Sequence, residues 1–220
     1  MSVITSETLI PIEQHFKVNA GPGAGKTFWL IRHIQNVLQN SARLGRTRKI
    51  ACITYTNVGV ETILGRLGPN TDGVEVSTIH AFLYKHIVKP YATFVADEFG
   101  LNVARMDGHD DTILTNYSFL AEWKSITSQQ RITDDKIIVK ALHDMQWRFN
   151  SAGDLEVKTR FPHKFNNYPI KNASYFAYKK LAWTRGVLHH DDVLFFSYQI
   201  LTKIPFVATV LRAKFPYFFV

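Results

Sequence analysis

The glycine-rich stretch at residues 20–27 constrains the fold of this chain more than any other segment. It satisfies the Walker A pattern, with alanine in place of the first glycine, and reads Ala20-Gly21-Pro22-Gly23-Ala24-Gly25-Lys26-Thr27. Residues 16–19 before it predict a short strand, and the apolar spacing over residues 27–39 predicts an amphipathic helix after it. A strand, a glycine-rich turn and a helix in this order predict a phosphate-binding loop.

The residue types in this loop suit a nucleoside triphosphate. Gly21, Gly23 and Gly25 allow the backbone to wrap closely around phosphate oxygens, while N–H groups and the positive end of the helix attract the anion. We expect Lys26 to bridge the β- and γ-phosphates of ATP, and the Thr27 hydroxyl to ligate Mg²⁺. Lys26 and Thr27 are therefore the predicted catalytic residues, and all eight residues of the loop are predicted to contact the nucleotide.

Strands and helices alternate in the sequence that follows. Residues 49–54 predict a buried strand, and the helix after them is expected to stop at Gly68-Pro69. Residues 74–79 predict another strand, followed by a helix that ends before Pro90. Because this alternation is typical of a parallel sheet covered on both faces, the predicted fold class is α/β.

The pattern changes beyond residue 90. Residues 112–149 predict a helical region whose apolar face extends to Met145 and Phe149, and Asp134 is a predicted N-cap within it. Residues 151–171 are predicted to be irregular. Further predicted elements are helices at residues 172–203 and 205–215 and a strand that opens at Tyr217. Since a buried strand normally continues into its loop, we expect the chain to be part of a longer protein.

The charge distribution favours a polyanionic partner. The net charge is +8, with balances of +5 over residues 1–50, −3 over residues 51–150 and +6 over residues 151–220. Clustered basic residues bind nucleic-acid phosphates through counterion release. The N-terminus does not read as a signal peptide, apolar runs are too short to span a bilayer, and Cys52 is the single cysteine, expected to be inert core. We therefore predict a cytoplasmic protein without a membrane partner.

Four further segments occur in a set order along the chain: Ile53-Thr54-Tyr55-Thr56-Asn57, Val76-Ser77-Thr78-Ile79-His80-Ala81-Phe82, residues 186–194 and residues 215–220. They resemble motif Ia, motif Ib, the segment that re-enters the sheet domain and the strand that precedes motif II in UvrD/Rep-type superfamily 1 helicases. The resemblance implies a RecA-like P-loop NTPase domain with a parallel sheet, over residues 1–90 and 186–220. It also implies a mainly helical insertion, similar to subdomain 1B, over residues 91–185.

The same resemblance implies an ATP-dependent DNA helicase that moves 3′ to 5′ on single-stranded DNA, using ATP and Mg²⁺. Its expected partners are single-stranded DNA, a duplex junction and a second RecA-like domain, which this chain lacks. Gln14 corresponds to the residue that reads adenine, and the DNA-contacting positions correspond to Tyr55, Thr56, Asn57, Thr78 and His80. An exposed aromatic ring such as Tyr55 can stack on any base. As alternatives, Tyr55 could be core, and Asn57 or Thr78 could simply cap helices.

Other functions remain open from the sequence. Motif II, whose Asp-Glu pair holds Mg²⁺ and activates water, is absent, so an alternative is a non-catalytic truncated fragment that binds nucleotide and DNA without turnover. A P-loop phosphotransferase acting on a small molecule is a further alternative, against which motifs Ia and Ib argue.

Three weaker patterns have two readings each. Residues 158–185 interleave basic and aromatic side chains, which suits either a nucleic-acid surface or a small helical core. The clusters at residues 109–111 and 189–192 contain His and Asp, which can bind metal ions. A metal site would need a second group of ligands at a suitable spacing in the sequence, and neither cluster has one. We expect Asp191 or Asp192 to cap a helix that starts at Val193 instead.

Overall fold

The computed structural model describes residues 4–69, 71–106, 112–152, 155–159, 164–165 and 168–220, so the cluster at residues 109–111 lies outside the described residues. The chain divides into two compact units, the first formed by Met1–Phe82 with Pro205–Val220 and the second by Leu83–Ile204. The sequence places the boundaries after residues 90 and 185 instead, and those domain boundaries stay a prediction.

The regular elements alternate in the first unit and are mostly helical in the second. The strands are β1 (Ile50–Thr54), β2 (Val74–Thr78), β3 (Met145–Phe149), β4 (Leu155–Thr159), β5 (Lys164–Phe165), β6 (Tyr168–Pro169) and β7 (Tyr217–Phe219). The helices are α1 (Lys26–Asn40), α2 (Asn57–Leu67), α3 (Ile79–Leu83), α4 (Lys89–Tyr91), α5 (Thr93–Phe99), α6 (Tyr117–Ile126), α7 (Asp135–His143), α8 (Asn172–Thr184), α9 (His190–Lys203) and α10 (Phe206–Lys214).

A parallel three-stranded sheet in the order β2-β1-β7 organises the first unit. Ile50 pairs with Val74 on one side and with Tyr217 on the other, so the three strands run in register in one direction. Helices α1 and α2 follow apolar patterns whose buried residues include Ile34, Val37 and Leu67. The predicted α/β fold class with a parallel sheet is confirmed.

The predicted strand at residues 16–19 is wrong, because this part of the described chain forms no strand. Phe16 instead packs edge-on against Trp29 and His33 of α1, with ring centroids 5.5 and 5.1 Å away, and lies 6.4 Å from Phe219 of β7. Side-chain packing therefore anchors this segment in place of a strand ladder.

The sheet core also explains the single cysteine. Cys52 lies in the middle of β1 and is buried with Ile50, Ile63 and Val74. Burial raises the pKa of the Cys52 thiol to about 11, which suppresses the reactive thiolate. The prediction of an inert core cysteine is confirmed.

The second unit begins with a helical path that continues through Pro90. After α3, a π-helical turn at Tyr84–Val88 leads directly into α4, which holds Pro90 in its first turn. The prediction that the helix ends before Pro90 is therefore wrong. A proline ring crowds the carbonyl four residues earlier in a regular helix, and a π turn just before it widens the backbone at that place.

A β-hairpin replaces the end of the helical region predicted at residues 112–149. Helix α7 stops at His143, and β3 pairs with β4 in an antiparallel register that matches Met145 with Thr159 and Phe149 with Leu155. Met145 is buried, whereas Phe149 is 56% exposed, so these two residues do not share one helical face. The alternating apolar and polar residues of Met145–Phe149 have a strand period that the helical pattern before them concealed.

Among the described residues, no single helix combines the length and hydropathy of a membrane span, although α9 and α10 taken together would pass that test.

Candidate nucleotide and DNA site

The glycine-rich loop ends at the amino terminus of α1. Gly23 and Gly25 adopt φ values of 75° and 76°, a left-handed conformation that residues with a side chain disfavour. Gly25 is the N-cap residue, and within the described chain no side chain caps it. The first turn of α1 also holds no acidic residue. This amino terminus therefore presents its helix dipole and backbone N–H groups without an anionic side chain to satisfy them.

The Lys26 ammonium group lies folded over this loop. Its Nζ atom donates hydrogen bonds to the carbonyl oxygens of Ala20 at 2.7 Å and Gly21 at 2.9 Å. Lys26 is exposed, and the neighbouring Thr27 is half-buried at the second position of α1. The loop carbonyls thus hold the ammonium group over the glycine-rich loop, and its contact with phosphate stays a prediction.

A cavity of about 730 Å³ lies beside the loop in the first unit. Gln14 and Lys26 both line it, so the structure brings together two of the residues predicted to contact nucleotide. His33, stacked on Trp29 at 5.0 Å, is buried in its wall, and burial lowers the pKa of His33. Whether Gln14 reads adenine stays a prediction.

The predicted DNA-contacting residues gather at the carboxyl edge of the sheet. Thr54 and Thr78 end their strands and lie opposite each other in the parallel register. Tyr55 follows directly and is 86% exposed, which excludes the alternative that it belongs to the core. Asn57 is exposed at the start of α2, and His80 is half-buried in α3. The five predicted residues thus lie at the ends of two neighbouring strands.

Two of these residues also cap helices. The Thr56 hydroxyl accepts the backbone N–H of Gly59 at 3.1 Å, and the Thr78 hydroxyl accepts that of Ala81 at 3.3 Å. A hydroxyl that accepts one hydrogen bond keeps a hydrogen of its own to donate. Capping and phosphate contact are therefore compatible at Thr56 and Thr78.

The basic and aromatic pattern of residues 158–185 is mainly structural where the chain is described. Tyr175, Tyr178 and Trp183 are buried, and Lys179 is 3% exposed with Nζ 2.8 Å from Asp192 Oδ1. Of the other residues in this pattern, Lys158, Lys171, Lys180 and Phe176 are exposed. The small helical core is therefore the better interpretation of this segment, and Lys179 cannot serve as a phosphate contact in this conformation.

Asp192 organises a buried polar network in the second unit. Its carboxylate accepts hydrogen bonds from Trp147 Nε1 at 3.1 Å and from the His189 backbone N–H at 2.9 Å, and His189 Nε2 lies 2.6 Å from the Tyr178 hydroxyl. Burial alone would raise the pKa of Asp192, but Lys179 and His189 hold it well below its usual range. Helix α9 begins at His190, three residues before the predicted start, and His189 with Asp192 forms its capping box. The predicted cap by Asp191 or Asp192 at Val193 is wrong in its position.

Across the part of the chain that the structure describes, no group of three or more His, Cys, Asp or Glu side chains could hold a metal ion.

Comparison with known proteins places these features in one family. The model of the UvrD/REP helicase N-terminal domain matches residues 1–220. The chain belongs to this family. The UvrD/Rep resemblance predicted from motifs Ia and Ib is confirmed, and so is the RecA-like class of fold that it implies.

Individual relatives are more distant and much longer. The chain is 25% identical to the Gabija protein GajB of Bacillus cereus strain HuB5-5 over 92% of its own length and 35% of that protein. It is 24% identical to a probable DNA helicase II homolog of Rickettsia felis and 25% identical to DNA helicase II of Rickettsia typhi, in both cases over 90% of this chain and 29% of the relative. The chain thus spans about a third of the length of these curated relatives.

The amino-acid sequence does not predict a polar cluster that forms around Tyr217 of β7. The Tyr217 hydroxyl donates to Glu13 Oε1 at 2.5 Å and lies 2.7 Å from Ser41 Oγ, while Arg43 donates to Glu13 Oε2 at 3.2 Å. The hydrogen bond from Tyr217 lowers the pKa of Glu13, with a further contribution from Arg43. This cluster ties the segment before the phosphate loop to β7. Since its members are up to 204 residues apart, no local pattern could have revealed it.

Proposed function

We propose that this chain is the ATP-binding part of an ATP-dependent DNA helicase that moves 3′ to 5′ on single-stranded DNA in the cytoplasm. The match of the UvrD/REP helicase N-terminal domain to the whole chain carries the proposal. The exposed phosphate loop and the exposed Tyr55 support it as the proposed nucleotide and DNA contacts.

The phosphate loop fits a triphosphate. Gly23 and Gly25 have the positive φ values that suit a tight anion cradle, and the uncapped start of α1 attracts negative charge. Lys26 would exchange the carbonyl oxygens of Ala20 and Gly21 for phosphate oxygens, so that its charge lies where negative charge develops during transfer. Mg²⁺, when bound, neutralises phosphate charge, and Thr27 is the residue of this loop that would hold it.

The carboxyl edge of β1 and β2 would hold the single strand. Tyr55 offers an exposed ring for base stacking, which does not depend on sequence. Thr56 and Thr78 would donate their hydroxyl hydrogens to backbone phosphates, beside Asn57 and His80. Closure and reopening of the nucleotide cleft against a second RecA-like domain would shift this grip along the strand.

Binding of a fluorescent oligothymidylate of twenty nucleotides tests the DNA half of the proposal. We expect weak binding that falls as salt rises, because phosphate contacts release counterions. Tyr55→Ala should weaken binding about 5- to 150-fold, the equivalent of about 1–3 kcal/mol for one stacked base, with the salt slope unchanged.

Tyr117→Ala is the matched control, because Tyr117 is a tyrosine that is 77% exposed in the second unit. It should bind oligothymidylate like the wild type. Equal affinities of wild type and a folded Tyr55→Ala variant would show that Tyr55 does not stack on DNA.

A further inference from the structure

The turn that carries Tyr55 is fixed by the last residue of β1. The Thr54 hydroxyl accepts the backbone N–H of Thr56 at 3.1 Å and donates to the carbonyl oxygen of the same residue at 3.0 Å. One side chain thus bonds both backbone groups of the residue that follows Tyr55. Tyr55 lies between the two anchored positions, and its backbone cannot rotate freely without breaking these bonds.

Helix α2 begins beside the Thr54 hydroxyl. Thr56 is the N-cap of α2 and accepts from Gly59, so the turn is continuous with the first turn of this helix. A Cβ atom added at Gly59 would lie 2.4 Å from Thr54 Oγ1 and 3.3 Å from both Thr54 Cβ and Thr56 Oγ1. The absence of a side chain at Gly59 therefore leaves the space that the Thr54 hydroxyl occupies.

We infer that Thr54 is a positioning residue that holds Tyr55 outward for base stacking, with Gly59 providing the room. The inference rests on the proposed DNA contact of Tyr55 and adds a residue to that site. The Tyr55 ring is 86% exposed next to a buried strand, so packing against the core does not hold it in place. The backbone must therefore set the direction in which the ring points. The two Thr54 hydrogen bonds supply that direction before DNA arrives, which lowers the ordering cost of binding.

Thr54→Val tests the inference, because valine keeps the shape and strand preference of threonine but removes both hydrogen bonds. We expect its affinity for the twenty-nucleotide oligothymidylate to fall about 2- to 12-fold, the equivalent of one net hydrogen bond, with an unchanged salt slope. Thr54→Ser keeps the hydroxyl and should bind within about twofold of wild type, below the effect of one hydrogen bond.

A double-mutant cycle with Tyr55→Ala separates positioning from a general loss of structure. If Thr54 acts through Tyr55, Thr54→Val should cause no further loss of affinity in the Tyr55→Ala background. A loss of the same size in both backgrounds would overturn the inference, as would wild-type affinity of Thr54→Val itself. Tyr55→Ala with wild-type affinity would refute the stacking contact, whereas a weakened Tyr55→Ala with an unaffected Thr54→Val would refute only the positioning role.

Gly59→Ala provides a second variant if Thr54→Val does not fold, and its dependence on Tyr55 separates the loss of Thr54 bonding from crowding of the Thr56 hydroxyl. Its methyl group would displace the Thr54 hydroxyl from the position that bonds Thr56. Binding should weaken as for Thr54→Val and should depend on Tyr55 in the same way. Wild-type affinity of a folded Gly59→Ala variant would contradict the inference.

Discussion

At the scale of single residues, several polar side chains in this chain have two uses. Thr56 and Thr78 cap helices while their hydroxyl hydrogens can face a DNA strand, and Lys26 bonds its own loop at the place proposed for phosphate. Lys179 differs, because its side chain is buried and its ammonium group is paired with Asp192. The sequence shows which residue types are present, but only burial separates a lysine that can meet a ligand from one that holds the fold.

Replacement of Lys179 should reveal this structural role. Lys179→Met would leave the Asp192 carboxylate buried without its lysine partner, and removal of one member of a buried pair typically costs about 3–5 kcal/mol. We expect that loss in the free energy of unfolding from urea denaturation at neutral pH. Lys180→Met is the matched control on the same helix, and because Lys180 is exposed its effect should stay within about 0.5 kcal/mol.

The pH dependence of the free energy of unfolding tests the same ion pair. The folded-state pKa of Asp192 is lowered. The ionised carboxylate therefore makes its full contribution to the free energy of unfolding above the ordinary aspartate pKa of about 4. This contribution is lost as pH falls toward the folded-state pKa. The stability difference between wild type and Lys179→Met should therefore stay constant from pH 7 to about 4 and narrow as pH falls below about 4. A difference that widens on acidification would contradict the assignment.

At the scale of elements, local patterns predicted β1, β2, α1 and α2 well, because apolar periodicity and Gly68 mark them directly. Asp134 was predicted as an N-cap, and its carboxylate accepts the Lys136 N–H at 2.9 Å at the start of α7. Elements set by tertiary contacts were missed. The π turn before Pro90 and the β3–β4 hairpin depend on packing and pairing that a local pattern does not contain.

The Asp134 cap can be tested by itself. Asp134→Ala should lower the free energy of unfolding by about 1 kcal/mol, because the first turn of α7 loses a hydrogen bond to an orphan N–H group. Asp134→Asn keeps a side-chain oxygen and should retain most of that stability. Equal urea midpoints for Asp134→Ala and wild type would show that the cap contributes nothing measurable.

At the scale of the whole molecule, part of the candidate site can be recognised in the sequence and part of it only in the structure. The phosphate loop and Tyr55 were recognisable as motifs, and the structure places Gln14 and Lys26 on one cavity. The Thr54 hydrogen bonds and the Glu13–Tyr217 contact were not recognisable, because they depend on a turn geometry and on residues distant in sequence. The family match joins these parts under one proposed function, with nucleotide binding at its centre.

Thermal unfolding with and without Mg·ATP tests that centre most directly. A ligand at about 100 times its Kd adds about 2.7 kcal/mol to stability, and each kcal/mol raises Tm by about 2–4 °C for a chain of this size. We predict a clear rise for wild type and for Lys89→Ala, an exposed-lysine control in the second unit, and no rise for Lys26→Ala. An unshifted wild type, or a Lys26→Ala variant that keeps the full rise, would contradict nucleotide binding at this loop.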